Sequence, residues 1–278
     1  MHSILGNEIL KTFLKWRTYI GFIAVAVIVP LVEIAVKMQG DALVKGMTRS
    51  LARDFLFAGN LINGYFVTFL IMNSLWVHIP FLVTLGAGDQ LAGEATGGTF
   101  RLLLIRPVSR TRILVSKYAT TLLYTAGLVV FMGVLSAALG IGLFGTGDVV
   151  VEWKDLTIIP QSEAFGRLCL ALALAVLGMW VVASLAFLFS SLVENAIGPI
   201  IGTMAVIIVF YIVGNFPVDM FRPIRPYLFT SYLTLWQKAM EVPIPWGEIF
   251  SWGAILGGFS VGFFLITWYL FVRKDILS

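Results

Sequence analysis

Apolar residues run almost unbroken through positions 19–36, 65–85, 118–144, 165–192, 196–214 and 249–272. Each run approaches or exceeds the roughly 20 residues that a helix needs to cross a hydrocarbon core. The runs are continuous and do not alternate, which favours helical spans over the short alternating strands of a barrel. The pattern predicts an all-α polytopic membrane protein with six transmembrane helices at those positions, in one transmembrane domain over 1–278.

The segments between the runs are as informative. Over 1–18, Leu5, Ile9, Phe13 and Trp16 fall on one helical face and Glu8, Lys11 and Lys15 elsewhere. That spacing reads as an amphipathic helix lying in the membrane interface; it is equally compatible with a basic flank that orients the first span. Pro30 lies inside the first span and is expected to kink it. Glu33, near its far end, can reach headgroups or pair with Lys37. In 37–64, Leu43, Met47, Leu51 and Phe55 recur at four-residue spacing, as a surface helix or as an extension of the second span. Asn73 and His78 are polar positions within the second span, where such groups often face a cavity; they form a candidate substrate pathway. Positions 145–164 read as an acidic outer loop. Glu194 reads as a solvated turn residue between the fourth and fifth spans, with a second cytoplasmic contact as the alternative. Positions 215–248 combine Pro217, Pro223, Pro226, Pro243 and Pro245 with Phe221, Tyr227, Phe229, Tyr232, Trp236 and Trp246. So many aromatics suit a segment dipping into the outer interface, and non-helical backbone at that depth must be covered by protein or line a wet cavity.

Composition agrees with the pattern. The chain is 59% hydrophobic and 12% charged, against about a quarter charged in soluble domains. The net charge of +4 reflects lipid-facing loops and does not suggest nucleic acid. Cys169 is the single cysteine; it sits in an apolar run, as a small packed residue would. No cleavable signal is apparent at the N-terminus.

The stretch from Gly88 to Lys117 interrupts the apolar pattern and reads as a polar connection outside the bilayer. It carries Arg101, Arg106, Arg110, Arg112 and Lys117, and its apolar island Leu102–Ile105 is far too short to span. Thr96 or Thr99 can cap a short helix that Pro107 ends near Arg106, and Ser109 can cap the next helix. Arg110 and Arg112 then stand at a helix start, where the dipole disfavours positive charge; phospholipid phosphates or a protein partner are candidate compensations. Glu94 is expected just before the short helix, where a carboxylate complements the dipole. It can also pair with Lys11 or Lys15.

Glu94-x-x-x-Gly98-Thr99, followed by Leu102-Leu103-Leu104 and Arg106-Pro107-Val108-Ser109-Arg110, resembles the cytoplasmic coupling segment of ABC transporter permeases of the ABC-type-two class. The close match covers about thirty residues of 88–117, and the span pattern extends a weaker resemblance along the chain. The resemblance implies a segment seated on a separate ATPase, with Glu94, Gly98, Thr99, Arg101, Arg106, Pro107 and Arg110 as coupling residues. It also implies an N-terminal helix that helps contact the ATPase, and re-entrant helices before the last span forming an external gate. The implied assembly has two ABC ATPase subunits, binding ATP and Mg, and a second permease subunit, identical or related.

The chain itself offers no catalytic chemistry. It contains no G-x-x-x-x-G-K-[ST], so ATP is expected on another polypeptide. It has neither H-E-x-x-H, C-x-x-C nor G-x-S-x-G, and no metal or cofactor site is expected. Six spans put both termini on one face. Lys and Arg divide nearly evenly between the two sides, but the basic cluster Arg101–Lys117 places that face in the cytoplasm of a plasma (inner) membrane. The function expected is the membrane-spanning permease subunit of an ATP-driven exporter. The alternative is a channel or ion-driven secondary carrier without an ATPase; such proteins usually place several ionisable groups mid-membrane.

Overall fold

The computed structural model describes residues 2–48, 62–97, 108–152 and 156–273. Helix α1 (His2–Leu14) precedes α2 (Trp16–Thr48), and α3 (Gly64–Leu75) precedes α4 (Ile79–Thr96). Then come α5 (Arg110–Phe144), strands β1 (Val149–Glu152) and β2 (Leu156–Ile159), α6 (Gln161–Leu192), α7 (Ile197–Asn215) and α8 (Trp246–Arg273). Three 3-10 segments separate α7 from α8: Asp219–Phe221, Arg225–Tyr227 and Phe229–Met240.

Among the described residues, 5 helices are long and apolar enough to cross a membrane: Trp16–Gly40 within α2, then α5, α6, α7 and α8. α3 and α4 meet the criterion only as a pair, bent by 61°. The break falls within the second span expected over 65–85. Its cause is local, because Pro80 has no N–H to continue a helical ladder from the preceding turn. The backbone there closes a tighter turn, with His78 N donating to Leu75 O at 2.8 Å.

Contacts along α5 give the direction of its neighbours. Gly64 N, at the start of α3, donates to Gly145 O just beyond the end of α5. Tyr124 donates to Leu82 O in α4, and Lys117 near the start of α5 reaches Glu94 at the end of α4. α3 and α4 therefore run together along α5 in the opposite sense. α2 runs the same way as α5, with Gly21 against Tyr124 and Glu33 accepting from Ser136 Oγ. α6 returns: Leu172 lies at Gly133 and Ser184 at Tyr118. α7 starts beside α4, at Gly88 and Pro199. α8 ends beside the start of α5, where Arg110 donates to Val272 O and Trp268 to Thr111. One end of the bundle therefore gathers α1, the ends of α4, α6 and α8, and the starts of α5 and α7. We call it the charged end. α6 is the hub, since 56% of its apolar window is buried against 17% for α7 and for α8.

The opposite end departs from an all-α plan. Part of the expected acidic loop is an antiparallel β1–β2 hairpin, with Val149 opposite Ile159. Alternating Val149 and Val151 are buried, a period-two pattern that a short acidic stretch conceals. Asn63 joins the hairpin to the helices by accepting from Phe66 N and donating to Asp148 O.

Of the segment over 215–248, the last 3-10 stretch is covered by protein, whereas Phe216, Tyr227 and Trp246 are exposed. Phe229, Leu233, Leu235 and Trp236 of the last 3-10 segment are buried, and Trp236 packs on Phe69 and Trp76. Arg167 of α6 holds its end by donating to Ala239 O and Glu241 O while pairing with Glu163. Lys238 pairs with Glu241 and with Glu248 at the start of α8, and lies over the Trp252 ring. Desolvation works against the Lys238 ammonium, but the hydrogen bonds and charges of Glu248 and Glu241 outweigh it and raise its pKa above the ordinary 10.5.

Three further expectations change. The first helix continues past Val36 to Thr48, with a kink at Gln39; Leu51 and Phe55 lie outside the described residues. Glu33 does not reach Lys37 but turns inward, fully buried, onto Ser136. Cys169 is exposed on α6 and is not packed.

Two predictions follow from this packing. The backbones of α3 and α5 touch at Gly64, where a Cβ would fall 2.4 Å from Ile141 N, whereas Gly142 faces open space. Gly64→Ala should therefore lower the unfolding temperature, at a cost of about 1–3 kcal/mol as for an overpacked site. Gly142→Ala should leave it unchanged. For Lys238, a raised folded pKa means stabilisation present in full below the unfolded value and lost as pH rises through the folded one. Thermal unfolding between pH 9 and pH 12, both chosen around the ~10.4 lysine reference, should lose more stability in wild type than in Lys238→Arg.

Candidate functional site: a buried charge network

At the charged end, α1 turns its polar face inward. Glu8 and Thr12 are buried, whereas Leu10, Leu14 and the following Trp16 are exposed. An amphipathic helix is thus present, with its charges on the protein and apolar residues available to the interface.

The centre of this end is Lys117, whose side chain is 2% exposed. Its Nζ lies 2.7 Å from Glu8 Oε2 and 3.2 Å from Glu94 Oε1. Lys11 Nζ approaches the same Glu94 oxygen at 2.5 Å. One turn earlier on α4, Asp89 receives Lys15 at 2.8 Å and Arg17 at 3.2 Å. Gln90 donates to Thr12 Oγ1, and the Thr18 hydroxyl donates to Thr12 O. Three elements contribute: α1 with the start of α2, the end of α4, and the start of α5.

The electrostatics explain why all three are needed. Asp89 and Glu94 occupy the C-terminal half of α4, where the helix dipole disfavours carboxylates. Both are nearly buried, at 8% and 2% relative exposure, and a buried charge without a partner costs several kcal/mol. Cations from α1, α2 and α5 meet that requirement. Gly93 leaves the space, since a Cβ there would fall 2.4 Å from Asp89 Oδ1. Ser190 of α6 fixes α4 from the other side: its hydroxyl accepts from Leu91 N and Ala92 N and donates to Gly88 O. Thr96 Oγ1 donates to Glu194 O in the α6–α7 turn, where the Glu194 side chain is exposed, as a solvated turn residue is.

Gly88–Thr96 is not an irregular connection but the C-terminal half of α4, and its polar residues face the network. Glu94 lies near the end of α4, the short helix expected after it falls outside the described residues, and the expected pairing with Lys11 is present. Ser109 stands at the N-cap of α5 without a side-chain capping bond, and Arg110 faces the end of α8. Gly98, Thr99, Arg101, Arg106 and Pro107 lie outside the described residues. Asn73 and His78 stand at the α3–α4 break and are exposed, with Asn73 accepting from Gln237. Sequence reasoning missed Glu8, Asp89 and Lys117 as partners. The signal was a carboxylate spacing of five on α4 facing basic residues four apart on α1. Among the described residues, no group of three or more His, Cys, Asp and Glu could hold a metal.

Comparison with known proteins places the chain in one family. A family model described as "Protein of unknown function (DUF2705)" matches residues 26–277, and the chain belongs to that family. It is 28% identical over 209 residues to the uncharacterized protein YhcI of Bacillus subtilis (strain 168), covering 71% of this chain and 64% of that protein. The matched region thus spans slightly less than two thirds of the relative's length.

Truncating the network should be costly in order of burial. Lys117→Met leaves Glu8 and Glu94 short of a cation and should destabilise by about 3–5 kcal/mol, as for one partner of a buried pair. Lys11→Ala removes a side chain that is 41% exposed and should cost about 1 kcal/mol or less. Thermal or denaturant unfolding in detergent measures both.

Proposed function

We propose that this chain is the membrane-spanning permease subunit of an ATP-driven transporter of the exporter class, not itself an enzyme. The resemblance of Glu94–Arg110 to the ABC-type-two coupling segment supports the reading. The observation that carries it is the Glu94 carboxylate joined to both Lys11 and Lys117. Through that carboxylate, a push on the segment following α4 reaches α1 and α5 together. Coupled rigid elements of this kind suit alternating access, which is motion of packed helices rather than bond chemistry.

In this reading the chain crosses the plasma membrane six times, the bent α3–α4 pair counting as one crossing, with both termini cytoplasmic. Two ATPase subunits carry the ATP and Mg, a second permease subunit completes the transporter, and lipid surrounds it. Nucleic acid has no role. The coupling contacts assigned to Gly98, Thr99, Arg101, Arg106, Pro107 and Arg110 belong to this proposal. So do Asn73 and His78 as the rim of a substrate pathway.

One observation favours the alternative of an ion-driven carrier. Glu33 is an ionisable group buried within a span and partnered by Ser136, and such groups mark ion pathways in carriers. The two readings separate on a single preparation. The chain is purified with the product of an adjacent P-loop reading frame and reconstituted. The transporter reading expects the ATPase to co-purify and Glu94→Gln to lower its turnover or retention while membrane insertion is unchanged. An inserted, folded chain that retains no ATPase, or a Glu94→Gln variant matching wild type in assembly and turnover, contradicts it.

Orientation has its own test in a Cys169→Ala background, which is needed because Cys169 is exposed. A cysteine at Asp155 should react with an impermeant maleimide added outside intact cells, and one at Arg101 should not. The reverse pattern overturns both the orientation and the docking assignment.

A further inference from the structure

α8 shares with α7 the lowest coverage of the long helices. Leu256, Ser260, Thr267 and Phe271 mark its buried side. On the flank beside that side lies a groove of about 380 Å³, lined by Ile255, Gly258, Phe259, Gly262, Phe263 and Ile266. Gly258 and Gly262 form its floor, since a Cβ at either would meet nothing within 4 Å. Elsewhere in the bundle glycine lets helices touch, as at Gly64 and Gly133; here it leaves open space. Phe259 and Phe263 form the inner wall, with ring centroids 5.9 Å and 6.2 Å from that of Phe229.

The same face of the helix ends in a cation. Ile255, Gly262, Ile266 and Arg273 follow one another at seven, four and seven residues, which puts them on one line along an α-helix. Arg273 is exposed, and its guanidinium lies 4.3 Å from the centroid of the Tyr269 ring. It therefore leans back one turn, toward the groove. Arg110 brings a second guanidinium to this end by donating to Val272 O. Trp246 at the start of α8 and Trp268 and Tyr269 near its end are exposed, as aromatics at the two membrane interfaces are. At 1.5 Å per residue, Trp246 and Tyr269 are about 35 Å apart, enough to bracket a hydrocarbon core of ~30 Å. By the same rise the groove from Ile255 to Ile266 is about 17 Å long, roughly half of that core. It thus occupies one leaflet, the one headed by Arg273.

We propose that this groove and Arg273 form a binding site for an anionic phospholipid. One acyl chain lies over Gly258 and Gly262, and the headgroup phosphate meets the Arg273 guanidinium, whose planar fork matches phosphate oxygens. A net negative head is favoured because α8 carries no acidic residue between Ile249 and Arg273. That face offers nothing for the ammonium of a zwitterionic head. Charge also argues against a second copy of the chain as the occupant. A second α8 laid in the groove about an axis normal to the membrane would set Arg273 against its own copy, and like charges repel. α8 meets α5 at this same end, through Arg110 to Val272 O and Trp268 to Thr111, so the lipid braces that joint from outside. The binding goes beyond the transporter reading and needs only this chain.

The test uses the full chain in phosphatidylcholine nanodiscs, without any ATPase. The probe is a trace of phosphatidylglycerol carrying a diazirine in its acyl chain, and the comparison is a diazirine phosphatidylcholine. Adducts are mapped by mass spectrometry and normalised to those on Ile201, Ile208 and Ile212, which are exposed on α7, a helix without a basic residue. Phosphatidylglycerol should label Ile255–Ile266 about 5-fold more than phosphatidylcholine does, the preference that one basic residue near a membrane surface gives. Arg273→Gln should reduce its labelling to the phosphatidylcholine level. Gly258→Leu combined with Gly262→Leu should remove the groove adducts of both lipids. The unfolding temperature of that variant should stay level, since both positions face open space. If it does not fold, the Arg273→Gln comparison decides alone. The proposal is overturned by equal labelling from the two lipids, or by an Arg273→Gln variant that keeps the preference. It is also overturned by a groove that neither lipid labels, the result of a second copy seated there. Such a failure with an ATPase still co-purifying removes this site and leaves the transporter reading standing. Specific labelling by a chain that retains no ATPase does the reverse.

Discussion

A lysine ammonium taken out of water must be met by carboxylates, and Lys117 imposes that requirement on the charged end of the bundle. It is nearly sealed, with Glu8 on one side and Glu94 on the other. The carboxylates have needs of their own: Glu94 also takes Lys11, and Asp89 takes Lys15 and Arg17. Neutralising one helix thus requires two others, and α1 cannot leave without uncovering charge on α4 and α5. Buried ion pairs of this kind are poor sources of net stability but are costly to break from one side. Their effect is to fix which elements move together.

The rest of the bundle follows a different logic. In lipid there is no hydrophobic drive between helices, so close backbone approach and shape carry the packing. Gly64 against Gly140 and Ile141 and Ser190 against the α4 backbone are examples. The far end is held by Arg167 and Lys238, which secure the 3-10 segment to α6 and α8. A membrane interior joined by surface shape and ends joined by charge is an arrangement in which relative motion is controlled at the ends.

Much of the fold is legible in the sequence, because a span declares itself by continuous apolarity and needs no partner to be recognised. The runs at 118–144, 165–192, 196–214 and 249–272 lie within α5, α6, α7 and α8, apart from their margins. Over 215–248 the backbone is irregular, as its prolines signalled, and the aromatics Phe229 and Trp236 are buried while Tyr227 and Trp246 are exposed. What could not be read depends on tertiary partners. Asp89, Gln90 and Glu94 look like loop residues until Lys11, Lys15, Arg17 and Lys117 arrive from distant positions to bury them. Glu33 looks like a headgroup contact until Ser136 is seen opposite it. Trp236 looks like an interfacial aromatic until it proves buried against Phe69 and Trp76.

The most direct test of this account is a double-mutant cycle between Glu94 and Lys117, read by reversible unfolding of the purified chain. Glu94→Gln, Lys117→Met and the double variant are compared with wild type. If the network locks α4 to α5, the two changes should be strongly coupled, by about 2–3 kcal/mol, at the upper end of what contacting pairs give. Additivity within about 0.5 kcal/mol, the behaviour of independent sites, would show that the two groups act separately and would contradict the central role given to Lys117.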